Sequence, residues 1–264
     1  MTEDGVRIHY RLAGAGEPAL AFVHGWCSNL THWDAQVRHF AKRHRVLALD
    51  RRGHGRSDVP DRGYTAAQHA ADLEHVLGEV GIEGAVIVGH AGGGPATLAF
   101  ARAWPELARA IVLVDTFVGP RASLGRDVNG SRSGLGVMID QLDAEHGAVA
   151  FEAMYRGFFS RHAGVAADRA VDDAMKVPLD IARAELASLA ISTQAIARLL
   201  NQPVLWISVE QADEPRLAKI FRDVQFGRVV GSGHFPQIEV PDQVNAMIDR
   251  FLTVQNGFAE PGEA

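Results

Sequence analysis

The stretch Gly89-His90-Ala91-Gly92-Gly93 is where the types and spacing of residues point most directly to chemistry. It follows the apolar run Ala85-Val86-Ile87-Val88 and opens into Gly94-Pro95-Ala96-Thr97-Leu98-Ala99-Phe100-Ala101. Strand, sharp turn and helix in that order are the setting of a G-x-S-x-G turn, which lifts a serine hydroxyl onto a strained apex from which it can attack a carbonyl. Glycines flank the apex because the turn is tight and the helix must pass close to the strand. Here the apex is Ala91, which cannot be acylated. Either a hydroxyl has been replaced at this position, or the turn serves something other than acyl transfer.

Acyl transfer also requires a base beside the nucleophile, an acid that orients the base, and donors for the oxyanion. The base candidate is His234, one of 12 histidines. Position singles it out: it follows the last strand-like run, 224–230, in the flexible loop Gly231-Ser232-Gly233. For the acid, Asp115 directly follows the apolar run Ile111-Val112-Leu113-Val114, while Glu210 and Asp213 follow Val204-Leu205-Trp206-Ile207. All three remain open on position alone.

The elements that must position these residues alternate. Val6 to Leu12 reads as a strand, and Ala19 to Val23 and Val46 to Leu49 are runs apolar on both faces, as in a parallel sheet covered by helices. Residues 66–80 have helical spacing, followed by strand 85–88, helix 92–104, and strands 110–114, 204–208 and 224–230. Residues 246–254 read as the last helix, and the tail after Gln255 reads as loose. Strand–helix alternation predicts an α/β fold, a mostly parallel twisted sheet with helices on both faces. Residues 120–200 break the alternation: a Gly/Ser/Arg-rich stretch, Ser123 to Gly136, precedes helical patterns over 148–159 and 181–200. The division expected is a core of 1–119 and 201–264 with a helical cap at 120–200 over the carboxyl edge of the sheet, where open α/β sheets bind ligands.

Composition narrows the function. The chain has 264 residues, 47% hydrophobic and 22% charged, the balance of a soluble globular domain. A net charge of -6 with no basic stripe argues against nucleic acid and against an anionic membrane surface. Cys27 is the single cysteine, which excludes an intramolecular disulfide and a cysteine metal site. No apolar run is long enough to span a bilayer, and no signal peptide is visible, so a cytoplasmic location is expected. No metal-ligand spacing and no G-x-G-x-x-G after a strand is present, so no metal or cofactor is expected. The oligomeric state is not encoded in anything recognisable here.

With these motifs in place, the chain resembles the α/β-hydrolase superfamily over nearly its whole length outside the cap. His24-Gly25-Trp26 after an apolar strand is similar to the family's oxyanion-loop motif. Asp50-Arg51-Arg52-Gly53-His54-Gly55-Arg56-Ser57 is similar to its D-x-x-G-x-G-x-S turn, Gly89 to Gly93 to its elbow without the serine, and Gly233-His234-Phe235 to its histidine loop. The resemblance implies an oxyanion hole of two backbone N–H groups, from Trp26 and Gly92. It implies a substrate pocket walled by His24, Gly25, Trp26, His90 and Phe117. In the family the commoner acid position aligns with Ala212, which cannot serve, while some members place the acid where Asp115 stands; that favours Asp115 over Asp213 and Glu210. His54 and Arg56 are read as parts of a structural turn, Arg51 and Arg52 as solvated or ion-paired, His90 also as packed under the elbow, His24 also as a support of the oxyanion loop, and Cys27 as buried filler.

The leading expectation is a cofactor-free hydrolase of a carboxylic ester or lactone, built on a nucleophile–His–Asp triad of which Ala91 marks the nucleophile position in a disarmed form. A second expectation comes from the cofactor-independent dioxygenases of hydroxy-oxoquinoline heterocycles, which resemble this chain at Gly25-Trp26-Cys27, at Asp115, and at His234-Phe235-Pro236 with Glu239-Val240-Pro241-Asp242. There a His/Asp dyad deprotonates the substrate and no covalent nucleophile is needed. A third is a noncatalytic ligand-binding relative. All three imply a small-molecule partner.

Overall fold

A computed structural model describes residues 1–120, 134–143 and 145–255. Its elements, numbered in chain order, begin with β1 (Tyr10–Ala13), β2 (Ala19–Val23), α1 (Asp34–Phe40), β3 (Val46–Leu49), α2 (Ala66–Glu79), β4 (Ala85–His90), α3 (Gly93–Ala103) and β5 (Ala108–Val114). Five helices follow before the sheet resumes: α4 (Gly134–Asp143), α5 (Gly147–Arg156), α6 (Val165–Ala174), α7 (Leu179–Ser188) and α8 (Thr193–Ala197). The chain then returns through β6 (Val204–Ser208), α9 (Glu214–Leu217), β7 (Val224–Arg228), α10 (Pro236–Glu239) and α11 (Pro241–Val254).

The strands form one sheet in the order β1-β3-β2-β4-β5-β6-β7. Only β1 runs antiparallel, against β3; every other pairing is parallel. The continuous apolar runs follow from helices on both faces, since each strand must present apolar side chains to two layers. Alternate residues of β2 divide accordingly. Ala19, Ala21 and Val23 pack with Leu73, Val76 and Leu77 of α2 and Leu98 of α3. Leu20 and Phe22 pack on the other face with Val37 and Phe40 of α1 and Ile248 and Phe251 of α11. A third apolar cluster joins α4 to α7 to Trp26 and Cys27 in the loop after β2 and to Phe235 beside His234.

Some boundaries differ from the sequence reading. The first strand covers Tyr10–Ala13 and not 6–12, because only those residues find partners on β3. The pattern over 181–200 is two helices, α7 and α8, broken where the Ser192 side chain caps α8 by accepting from the Ala195 N–H. The Gly/Ser/Arg-rich stretch falls on residues 123–133 largely outside the described ones, its end Gly134 to Gly136 already lying in α4. The tail beyond Gln255 also lies outside the described residues. Among the described residues no helix is long and apolar enough to cross a membrane, and no group of three or more His, Cys, Asp or Glu side chains could hold a metal ion.

Candidate active site

Ala91 occupies the turn between β4 and α3 with φ 45, the left-handed region that side chains disfavour. The turn is tied down on every side. The Ala91 N–H donates to Val114 O at 3.1 Å, and the Ala91 carbonyl accepts from the Thr116 hydroxyl at 2.6 Å and the Gly94 N–H at 2.9 Å. Glycine at 93 is required by close approach: a Cβ there would lie 2.5 Å from His24 O.

The adjacent strand β5 ends one residue before Asp115, which also has positive φ, 41. Its backbone is held by donation of its N–H to Ile207 O at 2.7 Å. Its side chain accepts from the Val209 N–H through Oδ1 at 3.1 Å, leaving Oδ2 2.6 Å from His234 Nδ1. Asp213 is elsewhere. It caps α9, accepting from the Arg216 N–H, and its side chain is 60% exposed. Glu210 is exposed as well.

The backbone of His234 is gripped from two sides. Its N–H donates to Phe158 O at 2.7 Å, and its carbonyl is 2.7 Å from His90 Nε2. That second contact ties the histidine loop to the residue preceding Ala91. Glu239 extends the grip: Oε1 accepts from the Gly233 N–H at 3.0 Å and Oε2 from the Ser160 N–H at 3.1 Å.

Trp26 and Gly92 meet across the turn, so that a Cβ on Gly92 would fall 3.1 Å from the Trp26 nitrogen. Neither backbone N–H has a hydrogen-bond partner among the described residues. Two unpaired donors lying side by side at the start of a helix suit an incoming anionic oxygen. The Trp26 ring is held from above: its Nε1–H donates to Ala182 O of α7 at 2.8 Å, and it packs on Phe151 at 5.3 Å.

Two expected pocket residues are placed differently. His24 and His90 are 0% and 1% exposed, so they support the site from behind and do not wall a pocket. The His24 ring lies between backbones, with Nδ1 2.9 Å from Gly25 O and Nε2 accepting from the Arg51 N–H. Burial, reinforced by Arg51 for His24 and by His234 for His90, pushes both imidazoles well below their ordinary pKa. Gly25 is buried against His90, and Phe117 is 38% exposed just beyond β5.

Of the two readings offered for Arg51, the ion-paired one holds; its partner Glu185 was not read from the sequence. Arg51 is buried, and its guanidinium meets Glu185 of α7 at 2.8 Å while also donating to Gly25 O at 2.7 Å. His54 Nε2 and His69 Nε2 approach the same carboxylate at 3.2 and 2.9 Å. The signal was available: Glu185 shares the buried face of α7 with Ile181, Ala182 and Leu186. A carboxylate on an apolar stripe must have a buried partner.

Comparison with known proteins agrees with this architecture. A family model described as alpha/beta hydrolase fold matches residues 18–241. A segment is 39% identical over 116 residues to a bifunctional esterase/perhydrolase of Acinetobacter calcoaceticus, covering 42% of each chain. A non-heme chloroperoxidase of Streptomyces lividans is 41% identical over 117 residues, 43% of this chain and 42% of that one. The matched segments thus span well under half of the curated relatives' length; for an uncharacterized protein of Mycobacterium tuberculosis the share is 36%. Among solved structures, the enol-lactonase of Burkholderia xenovorans LB400 superposes with a TM-score of 0.81 at 22% identity, over 95% of this chain and 98% of that one. A thermophilic esterase of Thermogutta terrifontis gives 0.79 at 21% identity, over 94% and 93%. With the family model matched from the second strand to the start of the last helix, the chain belongs to the alpha/beta hydrolase fold family.

Proposed function

We propose that this chain is built for cleavage of a carboxylic ester or lactone, and that alanine at position 91 closes the covalent route. The observation that carries the reading is the 2.6 Å contact of His234 Nδ1 with Asp115, next to an elbow whose apex residue has positive φ. With a serine at 91, its hydroxyl would attack the acyl carbon while His234 Nε2 takes the proton. Asp115 would hold the Nδ1–H and stabilise the imidazolium, and the Trp26 and Gly92 N–H groups would receive the oxyanion. His234 would return the proton to the leaving alkoxide, and water would then hydrolyse the acyl-enzyme by the same route. The esterase named among the relatives and the lactonase among the structural neighbours support this substrate class. The helices α4 to α8, the described part of the 120–200 insertion, act in this reading as the cap over the elbow.

The test is Ala91→Ser. It should create metal-independent cleavage of short esters or lactones and covalent labelling by a serine-directed phosphonate, which the alanine form should not show. A serine form that neither labels nor cleaves overturns the proposal and leaves ligand binding as the function.

The intact His234–Asp115 pair beside an apex without a hydroxyl favours one second reading, proton abstraction from a hydroxylated heterocycle followed by reaction of its anion with dioxygen. Oxygen uptake by the alanine form with a hydroxyquinolone would establish it.

A further inference from the structure

The unpaired Trp26 N–H belongs to a peptide unit whose other end is gripped. A trans peptide points its C=O and N–H in opposite directions, so whatever holds Gly25 O also aims the Trp26 N–H. Three donors converge on that oxygen: Arg51 Nη2 at 2.7 Å, His24 Nδ1 at 2.9 Å and the Ser28 N–H at 3.4 Å. A carbonyl oxygen has two lone pairs, so its bonding capacity is full. Arg51 acts on it twice. Its own N–H donates to His24 Nε2 at 2.9 Å, which leaves the proton of that neutral ring on Nδ1, facing Gly25 O.

The guanidinium is in turn placed by the helical insertion. Its Nη1 reaches Glu185 Oε1 at 2.8 Å and its Nη2 reaches Oε2 at 3.3 Å, and both residues are buried. One turn earlier on α7, Ala182 O accepts from the Trp26 Nε1–H at 2.8 Å. Helix α7 therefore holds Trp26 by its ring and, through Arg51, by its backbone. Such a grip suits a strained loop, since the next residue, Cys27, has φ 49. A charged donor on the carbonyl does more than hold it. In a buried setting it polarises the peptide and strengthens the hydrogen bond that the N–H can give.

We infer that Arg51, placed by Glu185, is a positioning residue that aims and polarises the Trp26 N–H toward a developing oxyanion. The inference rests on the proposed reading of Trp26 and Gly92 as oxyanion donors. Gly92 supplies an internal control. Its peptide carbonyl, Ala91 O, is held by the Thr116 hydroxyl and the Gly94 N–H and not by Arg51.

The test is Arg51→Met combined with Glu185→Gln, which removes both buried charges together and leaves His54 and His69 an amide to meet. Should that pair fail to fold, Arg51→Lys keeps a cation for Glu185 but loses the fork that spans carboxylate and carbonyl, and should act in the same direction to a smaller extent. In the present chain, heteronuclear NMR should show the Trp26 amide nitrogen moving upfield while that of Gly92 stays, because a carbonyl without its charged donor draws less electron density from its amide. In the Ala91→Ser background, the same changes should lower kcat for a short ester by about 10- to 100-fold with KM within about twofold, the mark of an interaction made in the transition state. A pair that only ties α7 to the sheet would lower Tm and leave the Trp26 resonance and kcat where they were, and that result overturns the inference. So does a Gly92 resonance that moves as far as that of Trp26, or a loss confined to KM. If the serine form is inactive before Arg51 is touched, the hydrolase reading fails, and the Trp26 resonance alone decides whether Arg51 aims this donor.

Discussion

Ala91, Asp115 and Cys27 hold left-handed backbone conformations, with φ of 45, 41 and 49. Each costs about 1–2 kcal/mol for a residue with a Cβ, and such strain persists only where the surroundings over-determine it. Here the three lie at the elbow, at the end of the neighbouring strand, and in the loop after Trp26, so they surround one site. Asp115 gains from its strain a carboxylate with one oxygen on the Val209 N–H and the other on His234. In an Ala91→Ser background, Asp115→Asn should lower kcat by about 10⁴, because the amide stabilises the wrong imidazole tautomer. Stability should change little, since asparagine tolerates this φ. Asp213→Asn, which touches only the α9 cap, and Glu210→Gln should leave kcat within about twofold. Steady-state kinetics with denaturation curves on the three variants checks this, and equal losses at Asp213 would refute it. The sequence offered Asp115 as one of three acids at strand ends, and the family resemblance, with Ala212 at the commoner acid position, favoured it. The burial of His24 and His90 agrees with their reading as supports and not with their reading as pocket walls; the sequence left both open because a strand end does not reveal which way its side chain turns.

The elements were legible to the extent that their burial was uniform. Strands β2 to β6 are buried along nearly their whole length and read as unbroken apolar runs. By contrast α1, with the sequence Asp-Ala-Gln-Val-Arg-His-Phe, went unseen because it buries only Gln36, Val37 and Phe40. The helix α6 escaped for a related reason: three of its four buried residues are alanines, which give a weak periodic signal. Where α3 meets β2 the glycines mattered more than the periodicity. A Cβ on Gly93 would come within 2.5 Å of His24 O and 2.7 Å of Val23 O, both backbone atoms with no freedom to turn aside. Gly93→Ala should therefore cost about 1–3 kcal/mol by overpacking, even though alanine is the better helix former by roughly 1 kcal/mol. Equilibrium denaturation settles the sign, and a stabilised variant would mean that α3 can shift away from the sheet.

On the scale of the whole molecule, the buried charge cluster joins the helical insertion to the sheet. Glu185 of α7 meets Arg51, His54 and His69, and Arg51 holds Gly25 in the loop after β2. Burial alone would raise the Glu185 carboxyl; Arg51 first, then His54, reverse this and hold it well below its ordinary range. Burial, then Arg51, lowers His69 to about 4, and burial lowers His32 to about 4. The sign for the histidines follows from linkage. Each stays neutral when folded but takes up a proton when unfolded below about 6.5, so stability falls as pH drops from there toward about 4, by up to ~1.4 kcal/mol per pH unit for each histidine. Glu185 acts in the same direction lower down. Its depressed pKa adds stability that is present above the unfolded carboxylate value and lost as pH falls below it. Denaturant unfolding should thus show a steep loss of stability between about pH 6.5 and 4, and His69→Gln should flatten that slope by up to one proton. Glu185→Ala should cost about 3–5 kcal/mol at neutral pH by leaving the Arg51 charge buried without a counter-ion. An unfolding free energy that stays level from pH 6.5 to 4 would show that both histidines are already protonated in the folded protein, His69 with Glu185 as its counter-ion.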